Sequence, residues 1–123
     1  MASPEEPAAK RSNSGATATA TTTAVPVCKC LLLRYDYVAD VLEKRAPHRA
    51  GHLAHWKKLA DLNQVLLGGA MDPPEGALIV LRGIEREKLD AYVKEDPYVV
   101  NGLVPSYDIK DWNVVVGSAM PAE

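Results

Sequence analysis

Residues 47–59 read PHRAGHLAHWKKL, and this stretch decides the fold because it predicts the helix on which the other segments pack. Proline suits the first helical position, where its missing N–H is not needed and its φ is already helical. With about 100° of rotation per residue, one broad apolar stripe forms from Leu53, Trp56, Leu59 and Ala60. The opposite side carries Lys57, Lys58 and Asp61. The helix should end near Asn63, because asparagine tolerates the left-handed conformation that follows a helix.

Two polar residues, Arg49 and His52, fall inside that apolar stripe instead of among the charged side chains. Buried polar groups need hydrogen-bond partners, and arginine is almost never fully buried without one. We therefore expect an acidic side chain or a ligand to meet Arg49 and His52. This mismatch predicts a pocket beside the helix, but it does not identify a reaction.

Length and composition limit the class of protein. The chain has 123 residues, enough for one domain with a single modest core. Its net charge is -2 and its pI is near 5.9, so the composition lacks the basic excess typical of nucleic-acid-binding proteins, and we expect no nucleic-acid partner. No apolar run approaches the roughly 18 residues of a membrane span, so we expect a soluble protein without a membrane partner.

The cysteines, Cys28 and Cys30, are too few and too close together for a disulfide framework. A bridge between strand residues two apart would be strained, so we expect reduced thiols and a cytoplasmic protein. Both cysteines point to the same side of the predicted first strand. Small buried hydrophobes are a better interpretation of them than metal ligands.

Residues 1–26 are rich in Ala, Thr and Ser and hold almost nothing large to bury, so we expect a disordered tail. The alternative is an organellar presequence. Lys10 and Arg11 suit one, whereas Glu5 and Glu6 argue against it because such presequences are poor in acids. The predicted domain covers residues 27–117, and residues 118–123 form a C-terminal tail.

Hydrophobic periodicity and turn residues predict four strands and two helical regions. Strands are expected at 27–35, 64–70, 77–83 and 104–117, the last with Val114, Val115 and Val116 as its core. Helices are expected at 36–45 and 47–63, either continuous with a kink or separated by a short break, and at 84–95. A turn at 71–76 joins the second and third strands into a hairpin, and a loop at 98–103 follows the last helix.

The order βαββαβ is that of the ferredoxin-like α+β fold, an antiparallel four-stranded sheet with both helices on one face. Two helices cover only one face, yet three of the strands are apolar on both faces. A large exposed apolar patch is rare on a soluble monomer. The economical answer is a second copy of the chain, so we expect a two-fold homodimer through the sheet face.

With this order established, the local sequences resemble the YCII-related (YciI-like) family of dimeric α+β barrel proteins. The resemblance covers roughly residues 30–116. It is carried by residues 42–45 (LEKR), Arg49-x-x-His52-Leu53, the strand end Gly68-Gly69, the sequence Asp96-Pro97-Tyr98 and Gly102. It implies a dimeric ferredoxin-like fold and a cavity that contains a His–Asp pair, here His52 and Asp96, with Arg49 beside it.

The family resemblance also bears on chemistry. A few relatives are linked to the removal of HCl from chlorinated hydroxyquinols, and the wider superfamily includes lactone isomerases. Arg49, Gly68, Gly69 and Tyr98 become candidate substrate-binding residues. The chain departs from the common pattern where Gly68-Gly69-Ala70 replaces a Gly-Pro pair, and this leaves the substrate class open.

His52 has two interpretations. As a general acid or base it needs a carboxylate that fixes its tautomer and stabilises its protonated form, and Asp96 could supply one. Alternatively, His52 is a core histidine bonded to a backbone carbonyl, and Asp96 only caps the turn at Tyr98. Arg49 either binds an anionic substrate or forms a structural ion pair with Asp96 or Glu43.

Neither a metal nor a cofactor is expected. The pairs His48/His52 and His52/His55 each have the spacing of two metal ligands on a helix, but no further ligand that would complete a recognised metal-binding pattern is visible nearby. Gly68-Gly69 is not a phosphate loop, because no helix begins after it; close approach of its backbone to a ligand or to the helix above is the better interpretation. Tyr107 and Trp112 are expected to pack in the cavity or in a dimer interface.

The leading hypothesis is a small cofactor-independent enzyme of lyase or isomerase type that acts on a small polar or anionic organic molecule. In it, His52 moves a proton, Asp96 orients and stabilises His52, and Arg49 holds substrate charge. The alternative is a non-catalytic dimeric module that binds a small metabolite or a partner protein. A purely structural dimer is a third interpretation, in which His52 and Asp96 are hydrogen-bonded core groups.

Overall fold

The computed structural model describes residues 27–118. The tail predicted at 1–26, and residues 119–123 of the predicted C-terminal tail, lie outside this range. The strands are β1 (Cys28–Asp36), β2 (Val65–Ala70), β3 (Gly76–Leu81) and β4 (Ser106–Val114). The helices are α1 (Val41–Lys44), α2 (Arg49–Asp61), α3 (Arg86–Val93) and α4 (Pro97–Val100), and a 3-10 turn at Ala46–His48 precedes α2.

The four strands form one antiparallel sheet in the order β2-β3-β1-β4. In the middle of the sheet, Leu33 of β1 lies opposite Ile79 of β3 and Ile109 of β4. The sheet and its helices confirm the predicted ferredoxin-like α+β fold. Among residues 27–118, no helix is long and apolar enough to cross a membrane.

The helices pack on one face of the sheet. Leu31, Leu33 and Tyr35 of β1 belong to the main core. From the helices, this core receives Val41, Trp56, Leu59, Leu89, Val93 and Tyr98. Cys28 and Cys30, at the start of β1, pack with Val80 in a smaller cluster on the other side of the sheet. We call this other side the free face; by strand register it also carries Leu32, Leu67 and Trp112.

The helix predicted at 36–45 is mostly wrong, because only Val41–Lys44 is helical. The backbone just before it bonds to distant segments. The N–H of Tyr37 donates to the carbonyl of Glu75 at 2.8 Å, and the N–H of Val38 donates to the carbonyl of Leu103 at 3.1 Å. Tertiary hydrogen bonds therefore override the helical pattern of the local sequence.

The loop predicted at 98–103 is partly wrong, because α4 occupies its first half. Asp96 has an extended backbone, and its carboxylate accepts a hydrogen bond from the N–H of Tyr98, as a helix N-cap does. Pro97 takes the first helical position, which its fixed φ favours. The turn expected after it is present, with Gly102 at a φ of 76°.

The last strand is shorter than the predicted 104–117. It ends at Val114, which lies opposite Cys28, the first residue of β1. Val115 and Val116 extend past the end of β1 and are 50% and 82% exposed, so the prediction that they belong to the strand core is wrong. Apolar composition alone does not reveal where the partner strand begins.

The two longer helices form within their predicted ranges but with narrower bounds. The helix predicted at 47–63 covers Arg49–Asp61, and the one predicted at 84–95 covers Arg86–Val93. Asn63 has a φ of 61°, the left-handed conformation expected at the end of the first of them.

The buried side of α2 is rotated from the predicted stripe. His55 is buried together with Trp56 and Leu59, whereas Leu53 is 52% exposed. The reason is a reciprocal contact with α3: the His55 ring bonds to the carbonyl of Tyr92 at 2.8 Å, and the Tyr92 hydroxyl donates to the carbonyl of His55. This contact turns the His55 side of α2 inward and fixes α2 against α3.

Candidate functional site

A cavity of about 370 Å³ lies between α2 and the β2–β3 side of the sheet. Its walls combine aromatic, small and cationic residues. They are Tyr37, Arg45, Arg49, His52, Leu53, Trp56, Lys57, Ala60, Val65, Gly68, Gly69, Ala70, Ala77, Ile79 and Tyr98. The structure therefore brings all four predicted substrate-binding residues and His52 to one cavity, and Asp96 is in contact with His52.

His52 and Asp96 are in direct contact. The Nδ1 atom of His52 is 2.9 Å from Oδ1 and 3.0 Å from Oδ2 of Asp96. Asp96 is fully buried, and the His52 side chain is 12% exposed. An ionised carboxylate can only accept hydrogen bonds, so Nδ1 carries the proton and Nε2 is left unprotonated in the neutral ring.

Asp96 accepts three further hydrogen bonds. The Tyr35 hydroxyl lies 2.7 Å from Oδ2, the indole N–H nitrogen of Trp56 lies 2.8 Å from the same atom, and the backbone nitrogen of Tyr98 lies 2.9 Å from Oδ1. Burial alone would raise the pKa of Asp96, but the hydrogen bonds donated by His52, Trp56 and Tyr35 outweigh burial and hold that pKa below its usual value. Asp96 is thus a buried, fixed anion.

Close approach of α2 to α4 creates the contact between His52 and Asp96. A Cβ atom at Gly51 would lie 3.2 Å from Cγ of Pro97, so glycine at this position lets the two helices approach. His52 follows Gly51 on α2, and Asp96 is the N-cap of α4. The capping role that the sequence offered as an alternative for Asp96 is therefore present together with the contact to His52.

Tyr98 forms one wall of the cavity against His52. The two rings are stacked, with centroids 3.7 Å apart and planes inclined by 2°. Tyr98 is 1% exposed, and its hydroxyl has no hydrogen-bond partner among residues 27–118. His52 is consequently fixed by a hydrogen bond at one edge and by stacking on one face.

The expectation that Arg49 is buried in the apolar stripe is wrong. Arg49 is the first residue of α2, and its side chain is exposed at the cavity. Within the described residues it forms no ion pair with Asp96 or Glu43, the two structural partners considered from the sequence. The position of Arg49 at the start of α2 explains this difference. The first turn of α2 lies beyond the buried core, so a residue there is exposed even though it falls on the apolar side of the helix.

Gly68 and Gly69 line the cavity in different ways. Gly68 lies opposite Ile79, a residue of the main core and the cavity wall, and a Cβ at Gly68 would lie 3.2 Å from Cγ1 of Ile79. Gly69 lies opposite Leu78, and a Cβ there would meet nothing within 4 Å. Strand alternation therefore directs only the Cβ position of Gly68 towards the cavity, and Gly69 lines the cavity through its backbone.

The remaining histidines have other surroundings. His55 is bonded to Tyr92 on the α3 side, and His48 lies in the 3-10 turn before α2. Within residues 27–118, no group of three or more His, Cys, Asp or Glu side chains is arranged to hold a metal ion. Tyr107 and Trp112 do not line the cavity: the Tyr107 hydroxyl donates to Asp90 at 2.6 Å, and Trp112 lies on the free face.

Sequence reasoning missed two residues of the site, Tyr35 and Trp56, which both donate to Asp96. A signal was available for each. Trp56 lies one helical turn after His52, on the same side of α2. A buried tyrosine hydroxyl or tryptophan N–H usually has a polar partner, and Tyr35 points to the helix-covered face by strand alternation.

Fold and site together define a ferredoxin-like α+β protein with a small-molecule-sized cavity beside a buried carboxylate. The model of the YCII-related domain family matches residues 29–113, and the chain belongs to that family. The resemblance noted in the sequence is thereby confirmed. A comparison with curated proteins gives no significant match.

Among solved structures, the chain is similar to 5-chloro-2-hydroxyhydroquinone dehydrochlorinase from Burkholderia phenoliruptrix AC1100, in complex with 2,5-dihydroxybenzoquinone. The TM-score is 0.60 and the sequence identity 20%, over 68% of this chain and 92% of the other. At this identity the likeness shows the shared fold.

Proposed function

We propose that this protein is a cofactor-independent enzyme of lyase or isomerase type that moves a proton on a small polar or anionic organic molecule. In this proposal His52 is the catalytic base, Asp96 orients and stabilises it, and Arg49, Gly68, Gly69 and Tyr98 bind the substrate. The observation that carries the proposal is the bond between His52 Nδ1 and the fully buried carboxylate of Asp96. The dehydrochlorinase with the same fold provides a precedent for elimination chemistry.

The geometry of Asp96 favours general-base chemistry at His52. A carboxylate on Nδ1 keeps the proton on that nitrogen and leaves Nε2 able to accept one from a substrate in the cavity. The imidazolium that forms then lies against an anion that is already present and ordered, so little reorganisation accompanies the transfer. The stacked ring of Tyr98 restricts rotation of His52 during this step.

In an elimination of this type, Nε2 of His52 takes a proton from a substrate carbon. The electron pair of that C–H bond forms the new double bond, and the leaving group departs from the neighbouring carbon with its bonding electrons. In an isomerisation, the proton returns to a different carbon. Either reaction balances without an external oxidant or reductant.

The test is proton exchange measured by NMR. Small hydroxylated and chlorinated acids are incubated with the protein in D₂O, and loss of a C–H signal or release of chloride reports turnover. We expect His52→Ala to lower the rate by roughly 10²-fold or more, as for loss of a general base, with an unchanged circular dichroism spectrum. His48→Ala, which leaves the cavity lining intact, is the control and should retain the rate.

Unchanged turnover in His52→Ala would refute the proposal. Binding of a compound without exchange, elimination or isomerisation of any candidate would favour the alternative function, a dimeric module that binds a small metabolite.

We also propose that the chain forms a homodimer through the free face. The face holds partly exposed apolar side chains such as Leu67 and Trp112, beside the small cluster of Cys28, Cys30 and Val80. Burial of such a surface against a second copy is favourable because it removes apolar area from water.

Two equally exposed leucines provide a matched test of the dimer. Leu67 on the free face and Leu42 on α1 are each 56% exposed. Light scattering should give a dimer for the native protein and for Leu42→Lys, and a monomer-shifted equilibrium for Leu67→Lys. A native monomer, or equal effects of the two substitutions, would contradict this interface.

We also propose that the folded domain covers residues 27–117 and that the protein is cytoplasmic. Reduced thiols support the location: Cys28 and Cys30 are buried with sulfur atoms 3.6 Å apart. Burial, together with the contact to Cys28, raises the pKa of the Cys30 thiol to about 11. Mass spectrometry without reductant should find both residues as free thiols, because such a thiol is a poor nucleophile.

A further inference from the structure

We infer that the substrate of this site carries a carboxylate group, which Arg45 and Arg49 bind together at the mouth of the cavity. This inference rests on the proposed function and specifies its substrate class. It adds Arg45 to the predicted binding residues and gives the substrate an orientation, with the charged end at the arginines and the reacting carbon near His52.

The charge of the cavity lining differs from that of the chain. The whole sequence has 16 acidic and 14 basic residues. Among the residues that the structure describes, the cavity walls carry three cations, Arg45, Arg49 and Lys57, and no acidic residue. The nearby anion, Asp96, lies behind His52 and is fully buried. A negatively charged ligand therefore meets no like charge among these wall residues, because their only charged side chains are cationic.

Two of these cations lack a carboxylate of their own within residues 27–118. Lys57 pairs with Asp61 at 2.9 Å, but no ion pair is formed there by Arg45 or Arg49. Elsewhere on the surface, Arg34 pairs with Asp108 at 3.0 Å and Arg86 pairs with Asp111 at 3.0 Å. The arginines at the cavity thus differ from these two in having their guanidinium groups available for a ligand.

The charges of both arginines reach the cavity wall. Burial, followed by the neighbouring Tyr98 and Asp96, raises the pKa of Tyr37 to about 12, and Arg45 and Arg49 each oppose that rise. Tyr37 itself lines the cavity. Arg45 and Arg49 also line this cavity, so both arginines border the volume that the carboxylate would occupy.

The rest of the cavity suits a small acid. Arg49 is exposed, whereas Tyr98 and Ile79 on the inner walls are 1% and 6% exposed, so the cavity is cationic towards solvent and largely apolar inside. Its volume is near the lower end of the range for ligand sites. Guanidinium groups bind carboxylates through paired, charge-assisted hydrogen bonds, which favours this anion over a diffuse charge.

The test measures equilibrium binding, which does not require turnover. Benzoate and crotonate are titrated into the native protein by calorimetry, with benzamide and crotonamide as neutral counterparts of similar shape. We expect at least one acid to bind roughly tenfold more tightly than its amide, and this preference to be lost in the double variant Arg45→Gln/Arg49→Gln. Lys58→Gln removes a charge from the same helix outside the cavity lining and should leave binding unchanged.

His52→Ala separates this inference from the proposed function. It should retain the preference for the acid while it loses proton exchange. Equal binding of acid and amide, an equal effect of Lys58→Gln and the double arginine variant, or no binding of either acid at about 10 mM would overturn the carboxylate inference. Those results would leave the role of His52 to be judged by its exchange rate alone.

Discussion

Asp96→Asn is the substitution that most directly tests how the site is built. The side chain keeps its size and its buried position but loses its charge and one of its two acceptor oxygens. In the native protein four groups donate to these oxygens: His52 Nδ1, the Tyr35 hydroxyl, Trp56 Nε1 and the Tyr98 N–H. An amide can satisfy only part of this set.

The cost follows from which donor loses its acceptor. If the amide oxygen replaces Oδ1, the amide nitrogen faces Trp56 Nε1, and two donors meet. If it replaces Oδ2, the amide nitrogen faces the backbone N–H of Tyr98. One buried N–H is unpaired in either orientation, which costs about 1–3 kcal/mol, and a charge-assisted hydrogen bond to His52 becomes a weaker neutral one. We expect the free energy of unfolding to fall by about 2–4 kcal/mol.

Urea unfolding at pH 7 measures this difference, with Asp61→Asn as the control. Asp61 is exposed and pairs with Lys57 on the surface of α2, so its substitution should cost less than about 0.5 kcal/mol. A domain of this size has about 5–15 kcal/mol of stability, so the Asp96 variant should remain folded. A loss below about 0.5 kcal/mol for Asp96→Asn would refute the view of Asp96 as a fully engaged anion.

The pH dependence gives a second readout of the same substitution. The pKa of Asp96 is lower in the folded than in the unfolded state, so its ionisation stabilises the fold above the unfolded pKa of about 3.9. That contribution is lost as pH falls through the folded pKa. The stability difference between native protein and Asp96→Asn should therefore narrow on acidification below about pH 4.

Two further predictions concern Gly68 in the cavity wall and Tyr35, which donates to Asp96. Gly68→Ala should weaken binding of the acid probe, because its Cβ would lie 3.2 Å from Cγ1 of Ile79 at the cavity. Gly69 lines the cavity through its backbone, and a Cβ there would point to the free face and meet nothing within 4 Å, so Gly69→Ala keeps that backbone and should leave binding unchanged in the same titration. Equal effects of the two would contradict the strand alternation. Tyr35→Phe should lower the free energy of unfolding by about 1–2 kcal/mol through loss of the bond to Asp96. Because the pKa of Tyr35 is raised in the folded state, first by burial and then by Asp96, its contribution is fully present below the unfolded pKa of about 10 and is lost progressively as the pH rises towards the higher folded pKa. Urea unfolding at pH 7 and above pH 10 should show the gap to Tyr35→Phe narrowing, and a constant gap would contradict this account.

The sequence predicted the elements whose pattern is repeated along the chain. The alternation in β1 and the helical spacing in α2 are repeated over enough residues to outweigh single exceptions. Elements set by distant partners were not predictable in the same way. Val38 leaves the predicted helix because its N–H bonds to Leu103, and Val116 leaves the predicted strand because β1 ends opposite Val114.

The candidate site was accessible from the sequence only in part. The polar residue His52 on an apolar helix and the family pattern with Asp96 nominated the contact that the structure contains. The Tyr35 and Trp56 donors were missed because the available signals indicate only that each needs a polar partner near the helix-covered face, and they do not identify Asp96 as that partner. The exposure of Arg49 was missed because a helical stripe carries no information about where the core stops.

The charges around the site constrain the proposed reaction. Asp96 is a fully buried anion in contact with His52, and His52 lines the cavity together with the cations Arg45 and Arg49. A carboxylate held by the arginines keeps the charge of the substrate away from Asp96, and the reacting carbon then lies nearer to His52. In the proposed reaction, the positive charge that forms on His52 is flanked by Asp96 on one side and by the anionic substrate on the other. Replacement of Asp96 by a neutral residue would remove one of these anions and leave the developing imidazolium beside the cations of the mouth, which is why the rate should fall more than the affinity for the acid probe.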